Sequence, residues 1–166
     1  MKFLGIDQSF TSTGWCLFED DVLLKYGIVT SSKNDNIFDR MFHVSCMVEE
    51  IASKHKVSGV ALEGLPFMSR SNVTRDLAGL QAVIVTNLIQ FELDTDLFII
   101  PPTTVKKLAT GSGKADKVEM FEALPDEIRK QFEKTPKTKG RYDITDAYWI
   151  GVEGIKRYNK VVKDEC

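Results

Sequence analysis

Lys2-Phe3-Leu4-Gly5-Ile6-Asp7 is a short apolar run that ends on a carboxylate. It reads as a buried strand, and the acid at its end is out of place in a core. The pattern returns at Val57-Ser58-Gly59-Val60-Ala61-Leu62, a second strand that delivers Glu63 to its C-terminal end. Between the two, Thr13 to Phe18 and Val22 to Thr30 read as strands joined by the acidic turn Glu19-Asp20-Asp21. Asn36 to about Lys54 is helical, because Ile37, Met41, Val44, Val48 and Ile51 recur along one face.

Beyond Glu63, Val73 to Phe91 carries two apolar stripes. One runs Val73, Leu77, Leu80, Ile84, Leu88, Phe91; the other, roughly 130° away at about 100° per residue, runs Ala78, Ala82, Val85, Ile89. Two stripes imply burial on two sides, either within the monomer or at a subunit interface. Leu97-Phe98-Ile99-Ile100 is a strand stopped by Pro101-Pro102, and helical patterns follow from about Thr103, from about Ala115, and from Asp143 to about Tyr158. The expected fold class is α/β: a five-stranded mixed sheet, three strands antiparallel and then parallel strands added by right-handed crossovers, flanked by helices. Its 166 residues are one domain's worth, so 1–166 is expected to be a single domain.

Hydrophobic residues are 43% and charged residues 28%, which fits a globular chain and argues against a disordered or fibrous one. Cys16, Cys46 and Cys166 are scattered, with no zinc or disulfide spacing, and suit a reducing compartment. No signal-peptide core and no membrane-length apolar run is present, so the expectation is a cytoplasmic protein with no membrane partner. The formal net charge of -2 excludes a polycation. Positive charge is instead clustered, in Lys134-Thr135-Pro136-Lys137-Thr138-Lys139-Gly140-Arg141 and in the group Lys106, Lys107, Lys114, Lys117. Solvated surface explains each cluster as well as nucleic-acid binding does.

Neither Asp7 nor Glu63 has a basic neighbour in sequence, and an unpaired buried carboxylate is costly. A hard divalent cation would resolve this. Asp143 and Asp146, three apart at the start of a helix, share one face about a turn apart. Taken alone, that pair is better explained by helix capping and the helix dipole than by catalysis; His43 and His55 read as structural or solvated.

The motifs in order resemble one family. Gly5-Ile6-Asp7-Gln8-Ser9 with Ser12-Thr13-Gly14-Trp15 is similar to the opening hairpin of RuvC-type Holliday-junction resolvases, members of the RNase H-like superfamily. Ala61-Leu62-Glu63 with Phe67-Met68, Leu80-Gln81-Ala82, Val105-Lys106 through Gly111-Ser112-Gly113 and Ala115 to Lys117, and Asp143-Ile144-Thr145-Asp146-Ala147 resemble the later motifs. The resemblance runs from Lys2 to about Gly151. Gln8-Ser9 stands where the family usually has Pro-Gly, Pro66 lengthens a loop, and the stretch from Lys117 to Asp143 is several residues longer, as in a divergent, bacteriophage-type member.

The resemblance implies an RNase H-like fold and an endodeoxyribonuclease that resolves four-way DNA junctions by paired nicks. It implies Asp7, Glu63, Asp143 and Asp146 as catalytic, metal-holding carboxylates for two Mg2+ per site, with Mn2+ as a substitute. Lys106 and Lys117 match the family's functional lysines in segment and spacing, ahead of Lys107 and Lys114 as DNA contacts; Phe67 and Met68 suit stacking or wedging at an opened junction, with Arg70 on the same loop as a further DNA contact. It further implies a homodimer, with the helix at 73–91 as the expected interface, and leaves sequence preference and any helicase partner open. The competing expectations are an RNase H-like nuclease for other branched DNA or RNA, a junction-binding protein without catalysis, and an actin-like nucleotide-binding domain, for which the chain is too short.

Overall fold

Along β1 (Lys2–Asp7), Leu4 and Ile6 turn to one side of the sheet while Phe3 and Gly5 turn to the other, as the two-residue period of a strand requires. The computed structural model of the chain describes residues 1–65, 72–90 and 95–164. β2 (Thr13–Glu19) and β3 (Val22–Val29) form an antiparallel hairpin with β1; β4 (Gly59–Glu63) and β5 (Asp96–Ile100) are added in parallel. The order is β3-β2-β1-β4-β5, the five-stranded mixed sheet expected from the sequence. The acidic turn closes with Asp20 at φ 52°, a conformation that Asp tolerates.

Two layers of helix cover the sheet. α1 (Ile37–His55) and α2 (Asn72–Gln90) bury Met41, Val44, Val48, Leu80, Ile84 and Leu88 over Leu4, Ile6, Val60 and Leu62. α1 starts at an Asn36 cap that accepts from the amides of Phe38 and Asp39, and it ends at Lys56 in the left-handed region. On the opposite face α6 (Arg141–Asp164) lies across β1, β2 and β4. α3 (Pro102–Thr110), α4 (Lys117–Glu122) and α5 (Asp126–Phe132) complete that layer. α6 runs six residues past the expected end, with Val161 and Val162 exposed, because its terminal turns face solvent rather than the sheet.

Small residues set the distance between α6 and the sheet. A Cβ on Gly5 would lie 2.3 Å from the Ala147 carbonyl oxygen and 2.6 Å from Gly151 Cα; one on Gly14 would lie 2.2 Å from the Asp143 carbonyl oxygen. Only glycine permits so close a backbone approach. Gly151 and Gly154 meet Phe18 and Phe3 in the same way. The i, i+4 row Asp143-Ala147-Gly151 therefore lies over β1 and β2, and the row Asp146-Ile150-Gly154 over Phe3 and Ala61.

One expectation for α2 is corrected. Leu80, Ile84 and Leu88 are buried, but Val73 at the head of the same stripe is 66% exposed, because it lines the open cleft beside Ile37 and Asp7 rather than the core. The second stripe is open: Ala82 and Ile89 are exposed, with Ala78 and Val85 half-buried. α2 is thus not sandwiched within the monomer. Phe91 lies outside the described residues. Among the described residues, no helix is long and apolar enough to cross a membrane.

Candidate active site

Ile6 pairs with Leu62 in the parallel register of β1 and β4, so the next step places Asp7 beside Glu63. Both share the strand parity of Phe3 and Ala61, so both face α6. The first turn of α6 brings Asp143 and Asp146 to the same end of the sheet. The two helix rows separate them: Asp143 points toward the β1–β2 turn, where Ser12 Oγ donates to its Oδ2 at 2.5 Å, and Asp146 points toward β4. The four carboxylates predicted from sequence line two adjoining clefts that meet at Asp7, Glu63 and Lys117.

Charge is concentrated there beyond what the site neutralises. Burial, then repulsion from Glu63, Asp146 and Asp143, holds the Asp7 carboxyl well above the usual carboxylate range. Burial and then Asp146 push Glu63 to about 7, against the pull of Lys117 and Lys106. Burial raises Asp146 to about 6, again opposed by Lys117 and Lys106. Lys117, the first residue of α4 behind a capping box of Asp116 and Glu119, places Nζ 3.7 Å from Asp143 Oδ1 and 3.9 Å from Asp146 Oδ2. Lys106, on α3, lines the cleft with Asp7, Glu63 and Asp146.

The carboxylates face one another across the cleft without closing a coordination sphere; among the described residues, no three His, Cys, Asp or Glu side chains do so. Their chemistry still fits a divalent cation. All are hard oxygen donors, and at least three carry charge that burial opposes. An open spacing suits an ion that keeps several of its waters.

The other sequence candidates divide. Lys107 lines a separate cavity with Thr103, Thr104 and Glu153, and Lys114 is exposed on the turn before α4, so neither joins the carboxylates. Phe67, Met68 and Arg70 lie outside the described residues. His43 meets the Thr30 carbonyl at 3.1 Å and stays structural.

Three supporting residues had no role assigned from sequence. Gln8 Nε2 and Gln81 Nε2 both donate to the Glu63 carbonyl, at 2.6 and 2.7 Å, tying β1 and α2 to the end of β4. The Gln8 signal was its departure from Pro; that of Gln81 was its place in a motif. Arg40, which bonds the Phe10 carbonyl at 2.9 Å and covers the Phe10 ring on the cleft wall, gave no signal.

The model of the family described as "Crossover junction endodeoxyribonuclease RuvC" matches residues 3–152, a span holding all four carboxylates and both cleft lysines. The chain belongs to the RuvC family. RuvC-named relatives include one from Rickettsia conorii, 31% identical over 129 residues that cover 75% of this chain and 80% of the relative. One from Prochlorococcus marinus is 28% identical over 160 residues, covering 93% and 98%. The fold matches the solved Thermus thermophilus RuvC with a TM-score of 0.71 at 19% identity, covering 96% of this chain and 97% of that one. It also matches the same protein solved with Holliday-junction substrate, with a TM-score of 0.68 at 17% identity and cover of 98% and 96%. These RuvC folds bear out the RNase H-like α/β architecture.

Proposed function

We propose that the chain is a structure-selective endodeoxyribonuclease that resolves four-way DNA junctions by paired, Mg2+-dependent nicks. The observation that carries this is the convergence of Asp7, Glu63, Asp143 and Asp146, from two strands and one helix, on two adjoining clefts where burial and then neighbouring acids raise Asp7, Glu63 and Asp146 despite the pull of Lys117. In this reading Asp7, which lies among the other three, would hold two Mg2+, or Mn2+ as a substitute, together with Glu63, Asp146 and Asp143. When bound, such ions polarise the scissile phosphate and make water a competent nucleophile at neutral pH.

The protein's own groups do the rest. Ser12 holds Asp143 in place, Gln8 and Gln81 fix the backbone of Glu63, and Lys117 and Lys106 flank the acids with positive charge for the phosphodiester. Residues 1–166 act as one nuclease domain. The chain works as a homodimer through the open face of α2, where Ile89 is 62% exposed. Its compartment is the cytoplasm.

The test is cleavage of a fixed four-way junction in Mg2+, beside linear duplex, flap and RNA–DNA hybrid, with nick positions mapped. Symmetric nicks in opposing strands of the junction are expected. Equal cutting of linear duplex, or preference for the hybrid, would sink the reading. Asp7→Asn should bind the junction without cutting it.

A further inference from the structure

The run Lys134 to Arg141, with four basic residues and no acid, is not used by the site described above. It begins where α5 ends. Phe132 is fully buried, with the Tyr26 ring edge-on at 4.7 Å, and the Tyr26 hydroxyl donates to the Gln131 carbonyl at 3.2 Å. Thr135 N donates to the Phe132 carbonyl and Lys139 N to the Pro136 carbonyl, both at 2.9 Å. Arg141 reaches back and donates from Nε to the Thr135 carbonyl at 2.8 Å and from Nη2 to the Glu133 carbonyl at 2.7 Å. Its guanidinium also lies 5.4 Å over the Phe121 ring. The one arginine of the run is consumed in pinning it.

The lysines are left outward. Lys134, Lys137 and Lys139 are all exposed, and among the described residues none of them forms an ion pair. Lys137 Nζ sits 5.9 Å over the Tyr142 ring. Three like charges on a segment held this firmly repel one another, and their position is fixed relative to the carboxylates. Gly140, at the end of the run, packs on Ile28 and Ser12; Asp143 follows three residues later. The run therefore lies at the carboxylate end of the sheet, on the β3 flank, while Lys106 stands on the β4–β5 flank and Lys117 lies between Asp143 and Asp146.

We propose that Lys134, Lys137 and Lys139 form a second phosphate-binding surface, gripping the backbone of a DNA arm as it leaves the carboxylate cleft on the β3 side. The proposal rests on the nuclease reading and adds to it a surface outside the cleft. The physical need is plain: a cleft of four acids in a chain of net charge -2 repels DNA, so a strand crossing it requires positive charge on both sides. A segment already ordered loses little entropy when it binds. Lysine contacts to phosphates carry affinity without base preference and release counterions.

The experiment measures binding of a synthetic four-way junction and of linear duplex across a NaCl series, for the wild type and for K134Q/K137Q/K139Q. A control variant, K25Q/K54Q/K160Q, removes three exposed lysines away from the cleft. The K134Q/K137Q/K139Q variant should weaken binding about tenfold or more near physiological salt and cut the slope of log K against log salt by about two to three units. Its single-turnover cleavage at saturating protein should stay within about twofold of wild type, since phosphate contacts set affinity rather than chemistry. The control should leave the slope unchanged. A slope that survives in K134Q/K137Q/K139Q, or falls equally in the control, overturns the surface and makes the run a solvated loop. A wild type that binds and cuts duplex as well as junction overturns the functional reading instead, while the slope on duplex still judges the lysines.

Discussion

Ser12 Oγ donates a 2.5 Å hydrogen bond to Oδ2 of Asp143, joining the turn after β1 to the first turn of α6 across 131 positions of chain. A bond to a charged acceptor contributes about 1.5–3 kcal/mol, and here it fixes the carboxylate that stands apart from Asp146. Ser12→Ala should raise the Mg2+ concentration needed for half-maximal junction cleavage about tenfold, with the rate recovered at high Mg2+. An unchanged Mg2+ midpoint would show that Asp143 needs no such tether.

The acids make the metal-free protein less stable as pH rises. Their folded-state carboxyls titrate above the ordinary range, Asp146 at about 6 and Glu63 at about 7, with Asp7 also raised. Between the ordinary carboxylate range near ~4 and those values, the folded state holds protons that the unfolded state has released, so this contribution is full below ~4 and lost as pH climbs toward about 7. In EDTA, Asp7→Asn should therefore melt above wild type at pH 8, by at least the ~3 °C that ~1 kcal/mol represents at this length, and the gap should close toward pH 4. Calorimetry that finds no gap, or the opposite sign, would refute the electrostatic account.

Gly14→Ala inserts a Cβ at 2.2 Å from the Asp143 carbonyl oxygen, which α6 can relieve only by moving off the sheet. Overpacking of this kind costs about 1–3 kcal/mol. Cleavage should fall by far more than stability does, because the displaced turn carries both Asp143 and Asp146. Thermal melts and cleavage rates measured together check it; a variant that keeps wild-type cleavage would mean the close approach does not position the acids.

Gln8 and Gln81 back each other up at the Glu63 carbonyl. Either alanine substitution leaves one donor and should cost about 0.5–1.5 kcal/mol; the double substitution leaves the acceptor unpaired and should cost about 1–3 kcal/mol more than the sum. A double-mutant cycle by urea denaturation measures this, and strict additivity would remove the shared role.

Ile89 is 62% exposed on the open stripe of α2. Ile89→Glu places a charge where the proposed two-fold interface requires apolar contact, so sedimentation should shift from dimer to monomer while the melting temperature of the monomer stays near wild type. Dimers that persist would move the interface elsewhere.

Much of this was legible in the chain itself. Apolar runs closing on Asp7 and Glu63, with the helical periodicities between and after them, fixed the order of elements and the mixed sheet, because strand and helix periodicities are local properties, while the quartet was implied by the resemblance of its ordered motifs to one family. Only tertiary packing decided which neighbours the acids have. The bond from Ser12, the paired donors on Glu63, the separation of Lys106 from Lys107 and the open face of α2 all depend on how closely α6 and α2 approach the sheet. That approach depends on volumes and glycine clearances between residues far apart in sequence, which periodicity does not encode.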